Sequence, residues 1–168
     1  MLASRETVRF GLTLAAVILV LDQITKFFVL YGLELELGER RIVTPFMDLV
    51  LTYNRGISYG LFQQDGDFGR WFLVAVKLGA AVLFVFWLMR AESRMIAASL
   101  GLLIAGATGN AIDRILHGAV IDFVSLHALG YYWYVFNLAD IAIVAGVLGL
   151  LYDALKGSVT KSPPSGST

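Results

Sequence analysis

The sequence predicts an all-α integral membrane protein with four transmembrane helices and a small external β-containing cradle. Three observations lead there. Hydrophobic residues make up 58% of the 168 and charged residues only 15%, well below the roughly 25% charged content of soluble domains. The apolar residues gather in four runs, each close to the ~20 residues that a helix needs to cross a bilayer core. Mean hydropathy is +0.74, more apolar surface than a soluble chain of this length could hide.

The first span covers residues 10–31. It has the positive start and apolar run of a signal peptide, yet it continues through Asp22 and Lys26 without a small-residue cleavage site. It is therefore read as a retained anchor. Residues 32–70 form a long acidic loop with Glu34, Glu36, Glu39, Asp48, Asp65 and Asp67. Within it, Leu49, Leu51 and Tyr53 alternate with Val50, Thr52 and Asn54, which predicts a short strand. Gly56, Gly60 and Gly66 supply turns. The second and third spans, 71–89 and 95–116, are joined by the tight connection Arg90-Ala91-Glu92-Ser93-Arg94.

A second external stretch, 117–133, leads into the fourth span, 134–152. Tyr131, Tyr132, Trp133 and Tyr134 mark its outer end as an interfacial belt does. The Ser-, Pro- and Gly-rich tail 157–168 is expected to be disordered and cytoplasmic, leaving residues 1–156 as a single domain. Arg5, Arg9, Arg90, Arg94, Lys156 and Lys161 flank the short ends. Basic flanks face the cytoplasm, so both termini are expected there and both long loops outside.

Thirteen basic and thirteen acidic residues cancel, leaving no basic face for nucleic acid. The absence of cysteine excludes disulfides, thiol nucleophiles and cysteine metal sites. His117 and His127 lack metal-site spacing, so no metal and no cofactor are expected.

Depth, counted at about 1.5 Å per residue, then places the polar residues. Asp22 lies roughly 18 Å beyond Phe10, with Lys26 one turn further. Lys77 lies about 9 Å below Trp71, and Asp140 about 9 Å below Tyr134. Asn110, Asp113 and Arg114 occupy the last turns of span three. Each span thus puts its polar residues in the outer half. Charges in a membrane are costly and tend to face the interior of a bundle, so convergence at one depth implies a shared polar cavity opening outward.

Plainer readings compete for most of these residues. Lys77 is read as snorkelling to the interface, with Lys77→Ala close to neutral; Lys26 could do the same. Asp22 and Lys26, at i,i+4, could simply stabilise their helix. Asp113 and Arg114 could be a charged helix end. Gly101, Ala105 and Gly109 suit close helix packing rather than a phosphate loop. Asp140 resists such a reading: it has no basic neighbour within a turn, in a span otherwise apolar.

Ser58, Ser99 and Ser125 sit in no nucleophile-elbow pattern, and neither histidine has a suggestive partner. Carboxylates remain. Two close carboxyl groups share a proton, and one then acts as base on water while the other acts as acid towards a carbonyl oxygen. Spacing alone does not choose Asp122 over Asp22 or Asp113 as the partner of Asp140. Intramembrane acids also serve transporters and ion-conducting subunits, which stay as the non-enzymatic alternative, although a conduit needs polar groups across the full depth. A third reading is an assembly factor whose polar residues only hold helices together.

Five blocks then match a family. They are Leu21-Asp22-Gln23-Ile24-Thr25-Lys26, Tyr53-Asn54-Arg55-Gly56, Gly109-Asn110-Ala111-Ile112-Asp113-Arg114, Val120-Ile121-Asp122-Phe123 and Phe136-Asn137-Leu138-Ala139-Asp140. In this order, on a four-span chain, they make the sequence resemble bacterial lipoprotein signal peptidase, the type II signal peptidase, over nearly its whole length.

The resemblance implies an aspartic endopeptidase of the bacterial inner membrane with catalytic Asp122 and Asp140 near the outer face. It implies cleavage of diacylglyceryl-modified prolipoproteins just before the lipidated cysteine. Asn54, Gly56, Asn110, Arg114 and Asn137 would line or brace the substrate site, with Asp22, Lys26 and Asp113 in support. The expected partners are the lipid-modified substrate and membrane lipids, with the chain a monomer. Two departures stand out. The run after Asn54 is Arg55-Gly56-Ile57-Ser58-Tyr59-Gly60, where the family usually has glycine and then small and aromatic residues. Ile141 follows Asp140, where serine is common.

Overall fold

The computed structural model describes residues 2–56 and 67–160. Gly60, Gly66, Ser58, Asp65 and the departure at 57–60 lie outside them. Four long helices run as α1 (Arg5–Phe27), α2 (Asp67–Leu88), α3 (Arg94–His117) and α4 (Leu138–Thr160). Each contains a stretch long and apolar enough to cross a membrane. Four strands form the rest: β1 (Arg40–Thr44), β2 (Met47–Asn54), β3 (Val120–Ala128) and β4 (Tyr131–Phe136). They make one antiparallel sheet in the order β1-β2-β3-β4.

Helix starts follow from capping. The side chain of Ser4 accepts from Thr7 N at 3.1 Å and that of Ser93 from Ile96 N at 3.1 Å, each satisfying one of the orphan donors of a first turn. Gly118 ends α3 with φ 76°, the left-handed cap conformation glycine adopts without cost. α1 closes in a wider π-type turn, Phe28–Gly32.

α3 is the central helix, with 61% of its apolar stretch buried against 22% in each of the others. Its small-residue stripe explains why, as the sequence suggested. A Cβ on Gly101 would collide with the carbonyl oxygen of Gly11 on α1, and one on Gly109 would sit 2.6 Å from Asp22 Oδ2. Only glycine lets the backbones come this close. Leu88, Ala91, Ala97, Leu100 and Leu103 fill the end of the bundle near the α2–α3 connection. At the other end, Ile121 and Phe123 of β3 pack on Leu51, Val29 and Leu35.

The expected β-containing cradle is a four-stranded sheet, in which residues 49–54, expected as a short strand, belong to β2. β3 and β4 form a hairpin whose two-residue turn, Leu129 and Gly130, has φ 51° and 83°, the paired positive angles of a twisted hairpin turn. The aromatic cluster therefore belongs to a strand. The fourth helix begins at Leu138 rather than Tyr134, so Asp140 lies in its first turn, about 3 Å in rather than 9 Å. At the far end α4 continues through Thr160, so residues 157–160, placed in a disordered tail by composition, extend the helix. The sheet also holds a buried carboxylate: Asp48 pairs with Arg40 at 2.5 Å and faces His127 at 3.2 Å.

Candidate active site

Asp122 is held by alternation. Ile121 and Phe123 point into the apolar cluster, and successive strand residues face opposite ways, so Asp122 projects to the other side. Thr52 is its register partner on β2. Asn54, two residues on, reaches it diagonally, donating to Asp122 Oδ2 at 3.1 Å and to Tyr134 Oη at 3.1 Å. Asp122 is 1% exposed.

Asp140 is held by a capping box. Asn137 precedes α4 and accepts from Asp140 N at 2.9 Å, while Asp140 Oδ2 accepts from Asn137 N at 3.3 Å. This reciprocal pair satisfies two first-turn donors. Asn110 Nδ2 donates to Asp140 Oδ1 at 2.9 Å. Asn137 also joins the two carboxylates, its Nδ2 lying 2.6 Å from Asp122 Oδ1 and 3.2 Å from Asn110 Oδ1.

Beneath the two aspartates lies a buried ion cluster. Lys26 Nζ is 2.8 Å from Asp22 Oδ2 and 2.6 Å from Asp113 Oδ2. Gln23 Nε2 reaches both acids at 3.1 Å. Each acid also holds backbone beside an aspartate of the pair. Ala139 N donates to Asp22 Oδ1 at 2.9 Å, and Ile121 N donates to Asp113 Oδ2 at 3.2 Å. The Asp22–Lys26 pair, which i,i+4 spacing allowed as mere helix support, thus braces the start of α4 through Asp22 and, through the Lys26–Asp113 ion pair, connects it to the start of β3.

Arg114 donates to Asn110 O at 3.2 Å and to Gly56 O at 2.8 Å, fixing the chain just beyond β2. Gly56 N in turn donates to Asn54 Oδ1 at 3.1 Å. Arg55 between them is exposed, so this departure points away from the carboxylates. Ile141 stands in the wall of an apolar groove.

That groove, about 910 Å³, runs along α4 beneath the β3–β4 hairpin, with Phe136, Ile141, Val144 and Leu148 in its wall. A smaller cavity of about 60 Å³ is lined by Asn54, Gly56, Asn110, Arg114 and Asp140 among others. Asp140 and Lys77 line both. Lys77 is half-buried and turned to these cavities, where the sequence suggested a snorkelling side chain. Burial pushes the Asp122 carboxyl up to about 7, and the charge of Asp140 adds to the rise. The hydrogen bonds from Asn54 and Asn137, and the charge of Lys26, pull it back.

All ten residues singled out from the sequence therefore meet in one connected network of hydrogen bonds and ion pairs. Gln23 and Tyr134, which belong to it, and Lys77, which lines the cavities beside it, were not singled out as part of the site. Gln23 carried a signal, since it stands beside Asp22 in a matched block. Tyr134 was absorbed into the aromatic belt.

A family model described as "Signal peptidase (SPase) II" matches residues 14–156. The chain belongs to this family. It is similar to the lipoprotein signal peptidase of Methylobacterium radiotolerans, 54% identical over 88% of this chain and 86% of the relative. It is likewise similar to that of Nitrobacter hamburgensis, 48% identical over 92% and 98%. A solved bacterial membrane enzyme superposes with a TM-score of 0.80 at 25% identity, covering 94% of each chain. Signal peptidase II membership makes the chain a multi-pass peptidase of the bacterial inner membrane.

Proposed function

We propose that the chain is an aspartic endopeptidase that removes signal peptides from diacylglyceryl-modified prolipoproteins, cutting just before the lipidated cysteine. The observation that carries this reading is the bridge through Asn137, which ties Asp122 on β3 to Asp140 on α4 beside an apolar groove. The relatives are named lipoprotein signal peptidases, which supports a lipoprotein signal peptide as the segment removed.

Asp122, raised to about 7, carries the shared proton near neutral pH. Asp140, served by donors from Asn110 and Asn137, is the base. It takes a proton from water as the water oxygen attacks the scissile carbonyl carbon. Asp122 gives its proton to the carbonyl oxygen. The tetrahedral diol then collapses, the C–N bond breaks, and the departing amine takes up a proton from the pair. The groove offers apolar walls for acyl chains while the peptide crosses the polar cavity. The arginines and lysines at the short ends support an orientation with both termini in the cytoplasm and the sheet outside, and the reading takes the chain as a monomer.

The test is cleavage of a purified lipidated precursor. Asp122→Asn and Asp140→Asn should each abolish cleavage while leaving the protein folded. Full activity in either variant sinks the reading.

A further inference from the structure

Lys77 is the single charged residue of α2 between Arg70 and Leu88. Arg70 and Trp71, stacked at 5.1 Å, mark the outer end of that helix. Lys77 lies about 9 Å, nearly two turns, further in. It makes no hydrogen bond or ion pair with the described residues. A cation at that depth is costly, so a partner is needed, and Asp140 lines both cavities with it.

The charges around the pair decide what it does. From α1 come Asp22 and Lys26, from α3 Asp113 and Arg114, from β3 Asp122, and from α4 Asp140. Tyr134 of β4 and His127 of β3 stand in the groove. Lys26 is committed to Asp22 and Asp113, and Arg114 to two backbone carbonyls. Among the described residues the cluster holds four carboxylates and, with Lys77, three cations. One proton on the pair makes it neutral. Without Lys77, neutrality takes two protons, and a doubly protonated pair has no base. A low-dielectric site strongly favours the neutral total.

We propose that Lys77 is a positioning residue whose ammonium, facing Asp140 across the small cavity, sets the aspartate pair at one shared proton. This rests on the aspartic reading above. Lys77 touches no reacting atom; it acts through the pair.

The experiment is kcat/KM against pH for cleavage of a lipidated precursor by the native enzyme, K77M, K77Q and K77R. Removing a charge from a span eases insertion, so K77M should fold, and K77Q provides a polar second variant. The acidic limb should move to higher pH by about one unit or more in K77M and K77Q, costing about tenfold in activity below it. K77R should keep the native limb. An unmoved limb, a change confined to KM, or loss of activity at every pH in both K77M and K77Q overturns the proposal. D122N and D140N are assayed alongside. If both are dead while the K77M limb is unmoved, only the role of Lys77 falls. If either is fully active, the aspartic reading itself falls.

Discussion

Asn137 Nδ2 lies 2.6 Å from Asp122 Oδ1, while the same residue caps the helix that carries Asp140. One amide thus sets the spacing of two carboxylates from different elements. Asn137→Ala should lower kcat/KM roughly a hundredfold, the scale expected for a misplacement near 1 Å. The lost cap should cost about 1 kcal/mol of stability. A precursor-cleavage assay and thermal unfolding in detergent separate the two effects.

Lys26 is 2% exposed and pairs with two acids. Lys26→Met leaves both carboxylates buried without their cation, a loss on the order of 3–5 kcal/mol. Its melting temperature should fall sharply. Lys26→Met combined with Asp22→Asn and Asp113→Asn should recover part of that loss. An unchanged melting temperature in the single variant would show the cluster to be energetically idle.

Asp122 gives a pH dependence with a definite sign. Its folded value of about 7 stands above the ordinary 3.8. The folded state therefore holds its proton more tightly than the unfolded chain. That stabilisation is complete below the ordinary value and is lost as pH rises through about 7. Native stability should decline across this window, and Asp122→Asn should flatten the decline. Cleavage should also fall on the alkaline side near pH 7 as the pair loses its last proton.

Gly109→Ala would place a methyl 2.6 Å from Asp22 Oδ2, loosening the acid that holds Ala139 N. Destabilisation of about 1–3 kcal/mol is expected from such crowding, with a drop in cleavage. Gly79 has open space where its Cβ would stand, so Gly79→Ala should be neutral or stabilise by up to about 1 kcal/mol through helix propensity. Parallel losses in both variants would contradict the packing described here.

Much of this was legible in the sequence, and the reasons are physical. Hydropathy reports transfer to lipid residue by residue, so the four helices stood out without tertiary information. The Gly101–Gly109 stripe was legible because close approach leaves a periodic trace. The β3–β4 hairpin was not. Tyr131 and Trp133 are 83% and 70% exposed, and an exposed aromatic strand has the composition of an interfacial belt. That confusion misplaced the start of α4 and put Asp140 too deep. The join between Asp113 and Lys26 spans helices distant in sequence, and no local spacing encodes it. The direction of Lys77 depends on a cavity that only packing creates.

The grip of Asp22 on the backbone of Ala139 links the earliest helix of the chain to the latest. During synthesis α1 enters the bilayer long before α4 leaves the ribosome. Until then Asp22 has no amide to hold, and Asp140 has not been made. On the aspartic reading, the pair of carboxylates is therefore complete only once α4 is in place.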